Sequence, residues 1–190
     1  MHPQESQFAL QTAVDELASE LSSIGWDQPT RLFGLVSSDL LLATEPELAA
    51  EIGAEPGTLT AIEQDGFDTE VPVPQMLARI GWPDAVMGAA IALEQLVLPP
   101  EAEAELAVDA DPAEVAAAAG RDPRATQLRI IVAVTRNGEE DAVLVLDGHD
   151  APIRGGAGER LVPRLADSLA ETFRPLPPDS GDADAGNEPN

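Results

Sequence analysis

The chain is expected to fold as an α+β protein: an antiparallel five-stranded sheet with a helix at each end, in the order α-β-β-β-α-β-β-α. Three observations carry this. Two apolar, β-branched runs flank Asn137-Gly138 in the stretch Gln127 to Gly148, QLRIIVAVTRNGEEDAVLVLDG, the pattern of a hairpin. Near both ends, apolar residues recur at three- and four-residue spacing, the period of a helix with one buried face. Between them, Ala85 to Leu98, AVMGAAIALEQLVL, holds Gly88 and stops at Pro99-Pro100, which favours a strand. Terminal helices over antiparallel strands make a layered fold.

In order, Leu10, Val14, Leu17, Leu21 and Ile24 share one stripe of a helix over residues 6–24, with Gly25 as its stop. Arg31 to Val36 reads as a strand after the turn at Gln28-Pro29. Thr44-Glu-Pro-Glu47 has the form of a capping box with proline in the first turn, opening a short helix that ends by Gly53. Leu59 to Gln64 is the second strand, followed by a turn at Asp65-Gly66. A short helix over QMLARI ends at Gly81. The run from Ala85 to Leu98 is then the third strand; read as a helix, it would align Val86, Ala89, Ala90, Leu93 and Val97. Residues 101–110 form an acidic linker. Asp111-Pro-Ala-Glu114 caps a helix that stops at Gly120. After the hairpin, Ile153 to Gly158 is a flexible loop, and the last helix, Glu159 to Phe173, aligns Val162, Leu165, Leu169 and Phe173 with Pro163 in its first turn. These elements make one domain over residues 1–174. Residues 175–190 lack apolar side chains after Leu176 and read as a disordered acidic tail.

With a two-residue type I′ turn, Arg136 faces Glu139. Leu128, Ile130, Val132, Val134, Val143 and Val145 then share the core face. Arg129, Ile131, Ala133, Leu144 and Leu146 share the other, which is too apolar to be fully wetted and calls for a helix or another subunit. A longer loop through Glu139-Glu140 would shift the register by one and exchange the faces.

Composition narrows the classes. The formal charge is −25, all ten basic residues are arginines, and there is no cysteine. A chain this acidic repels nucleic acid and anionic membranes. Lacking cysteine, it has no disulfide or thiol chemistry and fits a cytoplasmic protein. No apolar run has the length of a membrane span, and MHPQESQ has no signal-peptide pattern. Solubility is a simpler account of the acidity than a decoy for a basic partner.

The chemistry-bearing residues form no recognisable constellation, so catalytic, cofactor and metal residues are all expected to be none. His149 lies in DGHD with Asp147 and Asp150, without metal-ligand spacing. Gly155-Gly156-Ala157-Gly158 precedes a helix beside Arg154 and Arg160, but no Walker sequence or lysine accompanies it. Glu63 and Glu94, each within an apolar strand, are the two acids a carboxylate mechanism would use. Trp82 reads as packing at a helix–strand corner or as an interface platform.

The element order resembles that of the small acidic chaperones of type III secretion and the sensory-transduction regulators that share their fold, an analogy of fold alone. Residues 80–103, IGWPDAVMGAAIALEQLVLPPEAE, resemble the signature of an uncharacterised protein family of actinobacteria, in Trp82, Pro83, Val86, Gly88, Glu94, Leu98, Pro99 and Pro100. The Arg-Asn-Gly turn and the closing LVPRLADSLAETF are also similar, whereas the arginine expected near Leu144 is missing. The functional expectation is a non-enzymatic acidic protein-binding or regulatory module with an unknown protein partner, a homodimer being one candidate assembly. Its contacts are expected at Trp82, Arg129, Ile131, Ala133, Leu144 and Leu146, or at the helix beginning at Asp111. The alternative is a small carboxylate-dependent, metal-assisted enzyme around Glu63, Glu94 and the DGHD turn.

Overall fold

The computed structural model describes residues 3–69, 71–105, 111–149, 151–155 and 159–174. The expected acidic tail, Asp150 and residues 156–158 lie outside these. Along the chain come α1 (Pro3–Ser23), β1 (Arg31–Ser37), α2 (Ser38–Thr44), α3 (Pro46–Glu51), β2 (Leu59–Gln64), α4 (Val73–Leu77), β3 (Val86–Val97), α5 (Pro100–Glu103), α6 (Pro112–Ala119), β4 (Thr126–Thr135), β5 (Glu140–Leu146), β6 (Ile153–Arg154) and α7 (Pro163–Glu171). The strands form one antiparallel sheet in the order β2-β1-β3-β4-β5-β6. The α+β class is as expected. The strand count is six instead of five, because Ile153 and Arg154 leave the expected loop to pair with Leu144 and Val143.

Both faces of the sheet are covered. On one, α1 runs across β5, β4 and β2. Its stripe of Leu10, Val14, Leu17 and Leu21 is buried against Phe33, Leu35, Ile131 and Val143. Small residues, Ala90, Ala92 and Ala133, leave room for the helix to lie close. A fully buried Leu or Val contributes about 1.5–3 kcal/mol, so Val14→Asp is the single change that would most directly lift α1. Ile24 falls past the helix end and is exposed. On the other face, α4 and α7 bring Met76, Leu77, Ala166 and Leu169 onto Leu32, Ile91 and Val132. With helices on both sides, β4 is apolar without a break from Ile130 to Val134, as strands buried on both faces are.

The hairpin differs from the two-residue expectation. The pairs Val134↔Glu140, Val132↔Ala142 and Ile130↔Leu144 fix a three-residue loop, Arg136-Asn137-Gly138. Gly138 has φ +90°, and its N–H donates to the Thr135 carbonyl at 3.0 Å. This is the turn-plus-bulge hairpin that a glycine at the left-handed position permits. Asn137 is not left-handed, so the type I′ turn is absent. The reason lies on the neighbouring strand: the Arg136 N–H donates to the Met87 carbonyl on β3, drawing residue 136 out of the β5 ladder. The faces exchange accordingly. Val143 and Val145 join Ile131 and Ala133 beneath α1, while Ala142, Leu144 and Leu146 move to the opposite face.

Two further local differences have physical causes. Thr44 is the last residue of α2, with its hydroxyl donating to the Leu40 carbonyl. The N-cap of α3 is therefore Glu45, without a side-chain cap bond, and proline alone sets the helix start. The acidic linker expected over 101–110 begins inside α5; residues 106–110 are outside the described set. The capping box of Asp111 and Glu114 is present in both directions. In β3, a Cβ at Gly88 would stand 2.8 Å from the Val134 carbonyl oxygen, so the close pairing of β3 with β4 requires glycine there.

Candidate functional site

The residues expected to form an interaction surface are dispersed. Arg129, Ile131 and Ala133 are buried beneath α1 and are not surface residues. The cause is the helix itself, which covers the face whose apolar excess pointed to a partner. Trp82 lies on the opposite face, half-buried, in the space above Gly34. Its indole N–H donates to Thr172 Oγ1 at 2.8 Å, and its ring meets Phe173 at 6.3 Å between centroids. Leu144 and Leu146 are half-buried on that same face, joined by the exposed Ile153 opposite Leu144.

Arg129 closes the end of α1. Its guanidinium stands 4.6 Å from the Trp26 ring centroid and donates to Glu94 Oε1 at 2.6 and 2.9 Å and to the Gly25 carbonyl. The Gly25 carbonyl lies two residues past the end of α1, in the turn that leaves the helix. Glu94 also accepts from the Gln28 N–H at 3.2 Å. Both side chains are nearly inaccessible, so this acid is a structural counter-ion. Glu63 lies two strands away, on β2. Arg31 grips it with both Nε and Nη2 and holds its carboxyl below the ordinary glutamate value. His149 follows β5 and contacts the Asp147 carbonyl. The three groups that a carboxylate mechanism would need are thus not brought together. Among the described residues no group of three or more His, Asp or Glu side chains is placed to hold a metal ion.

Two cavities border opposite edges of the sheet. Beside β5 and β6 is a cleft of about 570 Å³ lined by charged groups. There Arg154 pairs with Asp15 and Asp141, and Arg160 pairs with Glu140 and Asp167. The two arginines that flank the glycine-rich loop are therefore engaged by carboxylates. Burial raises the Asp141 carboxyl above its ordinary value, against the bonds from Arg154.

Beside β2 is a groove of about 550 Å³ between α1, α3 and the strand. Its wall is positioned by the connection between β1 and β2. The buried Ser38 hydroxyl bonds Thr58 and Thr60, each at 2.8 Å, and the Gly57 N–H donates to Asp39. Ala49 anchors α3 in the interior, which turns Leu48 and Ile52, one helical turn apart, into the groove. Leu48, Ile52 and Ile62 are 43%, 45% and 37% exposed. Glu16 and Glu55 stand at the rim with no arginine paired to either among the described residues. The Glu16 carboxyl is raised by partial burial and by the charge of Glu55. Glu20 faces the field of Arg31. None of these residues carries a sequence motif; the only signal was the i, i+4 spacing of Leu48 and Ile52 in an otherwise acidic helix.

No helix among the described residues is long and apolar enough to cross a membrane. Comparison with curated proteins and with solved structures returned no match. A family model, described as PPA1309-like protein, matches residues 10–174. That span takes in the whole sheet, the buried Arg129–Glu94 pair and both walls of the groove, and the chain belongs to the PPA1309-like protein family.

Proposed function

We propose that this chain is a non-enzymatic protein-binding module whose groove between α1, α3 and β2 receives a cationic, amphipathic segment of a partner protein. The observation that carries the reading is the pairing of half-exposed Leu48 and Ile52 in one open groove, and of exposed Ile62 across the β2 edge from it, with the unanswered carboxylates of Glu16 and Glu55. Single exposed apolar residues are ordinary, whereas several around one concavity mark a contact surface. A basic side chain there gains two nearby carboxylates, and its apolar neighbours gain a dry wall. The net charge of −25 adds long-range attraction for such a segment and repels acidic competitors. The element order, resembling that of small acidic secretion chaperones, supports a binding role by analogy of fold alone.

The test is selection of a random peptide display library on the immobilised protein, with counter-selection on a Leu48→Gln/Ile52→Gln variant. Enrichment of segments that combine arginine or lysine with apolar residues, and that lose the variant, supports the reading. Enrichment of acidic or neutral segments, or of peptides that bind the variant equally, sinks it.

A further inference from the structure

We infer that the partner segment binds as an added strand on the free edge of β2, its basic side chains entering the groove and its apolar ones lying on the opposite face against Ile62. This rests on the groove reading above and specifies the conformation of the occupant.

The shape of the cavity is the first argument. Residues 58–63, a consecutive run, all line it. Successive side chains of a strand point to opposite faces. A cavity above one face would meet every second residue, so an unbroken run means that the space follows the strand's edge. That edge is open: β2 has one neighbour, β1.

The second argument is the absence of edge protection. Sheets usually blunt an outer strand with proline, lysine, a bulge or extreme shortness, because unpaired main-chain groups recruit another strand. β2 has no proline, lysine or bulge, and its one charged residue, Glu63, is drawn back to Arg31 of β1. Its six residues pair with β1 in unbroken register from Leu32↔Gln64 to Ser37↔Leu59. The opposite edge is blunted, since β6 is two residues long.

The walls set the side-chain pattern. On the α1 face, a side chain from an added strand would pass Leu48 and Ile52 and reach Glu16 and Glu55. Arginine and lysine meet both demands, with an apolar stem and a charged tip. On the other face, the exposed Ile62 offers only apolar contact. The occupant is therefore an extended segment with basic and apolar residues in alternation, recognised through main-chain bonds for affinity and alternate side chains for specificity.

The probe is a labelled, alternating arginine–valine peptide long enough to span β2, about 20 Å, titrated by fluorescence anisotropy. Two further peptides carry N-methyl groups on alternate amides, one on each set. In an added strand, one set of amides faces β2 and the other faces solvent. The expected result is that one methylated peptide loses about tenfold or more in affinity while the other binds nearly as the parent does. Equal effects of the two sets, large or nil, overturn strand addition and leave the groove reading in place. A parent peptide that fails to bind, while peptides from the display selection do bind, overturns it too. If the parent binds a Leu48→Gln/Ile52→Gln variant, shown to be folded by circular dichroism, as well as it binds the wild type, both readings fall; these two positions are exposed.

Discussion

Asp15 and Glu16 are neighbours on α1, yet they serve the two edges of the sheet in opposite ways. Asp15 turns toward β5 and β6, where Arg154 bonds it together with Asp141. Glu16 turns toward β2, where the charge that raises its carboxyl is another carboxylate, Glu55. At the first edge each principal acid has an arginine, the outer strand is cut short, and the cleft is closed electrostatically. At the second, the strand is full length, the apolar residues are half-exposed, and Glu16 and Glu55 lack cations. A carboxylate answered within the fold supports stability. One left unanswered beside apolar surface is more useful to a partner than to the fold.

This contrast predicts a graded series in which the effect shrinks and finally changes sign. The largest effect belongs to the most buried pair. Arg129→Met leaves Glu94 enclosed without its cation and should cost about 3–5 kcal/mol in urea denaturation; a cost of a few tenths would show that Glu94 is not a structural counter-ion. Arg154→Ala strips the partly buried Asp141 and should cost about 1–2 kcal/mol at neutral pH. Its pH dependence is specific. The Asp141 carboxyl lies above its ordinary value in the fold, so the stability linked to it is greatest below the unfolded value and falls as pH rises through the folded one. The Arg154→Ala deficit should therefore shrink as the medium is acidified, and a deficit constant with pH would contradict the assignment.

Arg31→Ala should cost less, below about 1 kcal/mol, because the Glu63 carboxylate it pairs with is exposed and solvated when left alone. Glu63 is held below its ordinary value, so its contribution is present above the unfolded value and is lost as pH falls through the folded one, opposite in sign to Asp141. Glu16→Gln is the smallest change and reverses the direction. Its carboxyl is raised by burial and by Glu55, so removing the charge should raise the melting temperature slightly at neutral pH and not in acid. Loss of stability on this substitution would mean that Glu16 is answered after all.

The sequence made the layered class and most elements legible because period and punctuation are local. Leu10, Val14, Leu17 and Leu21 declare their helix by spacing alone, and β2 was readable to its last residue from LTAIEQ. The hairpin register was not, since it turns on Arg136 reaching carbonyls of Trp82, Pro83 and Val86, some fifty positions away in the chain. The same nonlocality hid the groove. The spacing of Leu48 and Ile52 shows that they share a helix face, but nothing local tells whether another element covers it. The apolar excess of the hairpin pointed the wrong way for a related reason: Ile131 and Ala133 look surplus until α1, a hundred residues earlier in the chain, is laid over them.

The most direct test of the central claim, that unanswered acids at β2 serve a partner, is a paired titration of the alternating arginine–valine peptide. One variant is Glu16→Gln/Glu55→Gln in the groove. The other is Glu101→Gln/Glu103→Gln on α5, which removes the same charge from an exposed helix that does not line the groove. The groove variant should weaken binding about tenfold or more, and the α5 variant should leave it nearly unchanged. Equal weakening by both would mean that the peptide responds only to the overall charge of the protein, and the groove would lose its role.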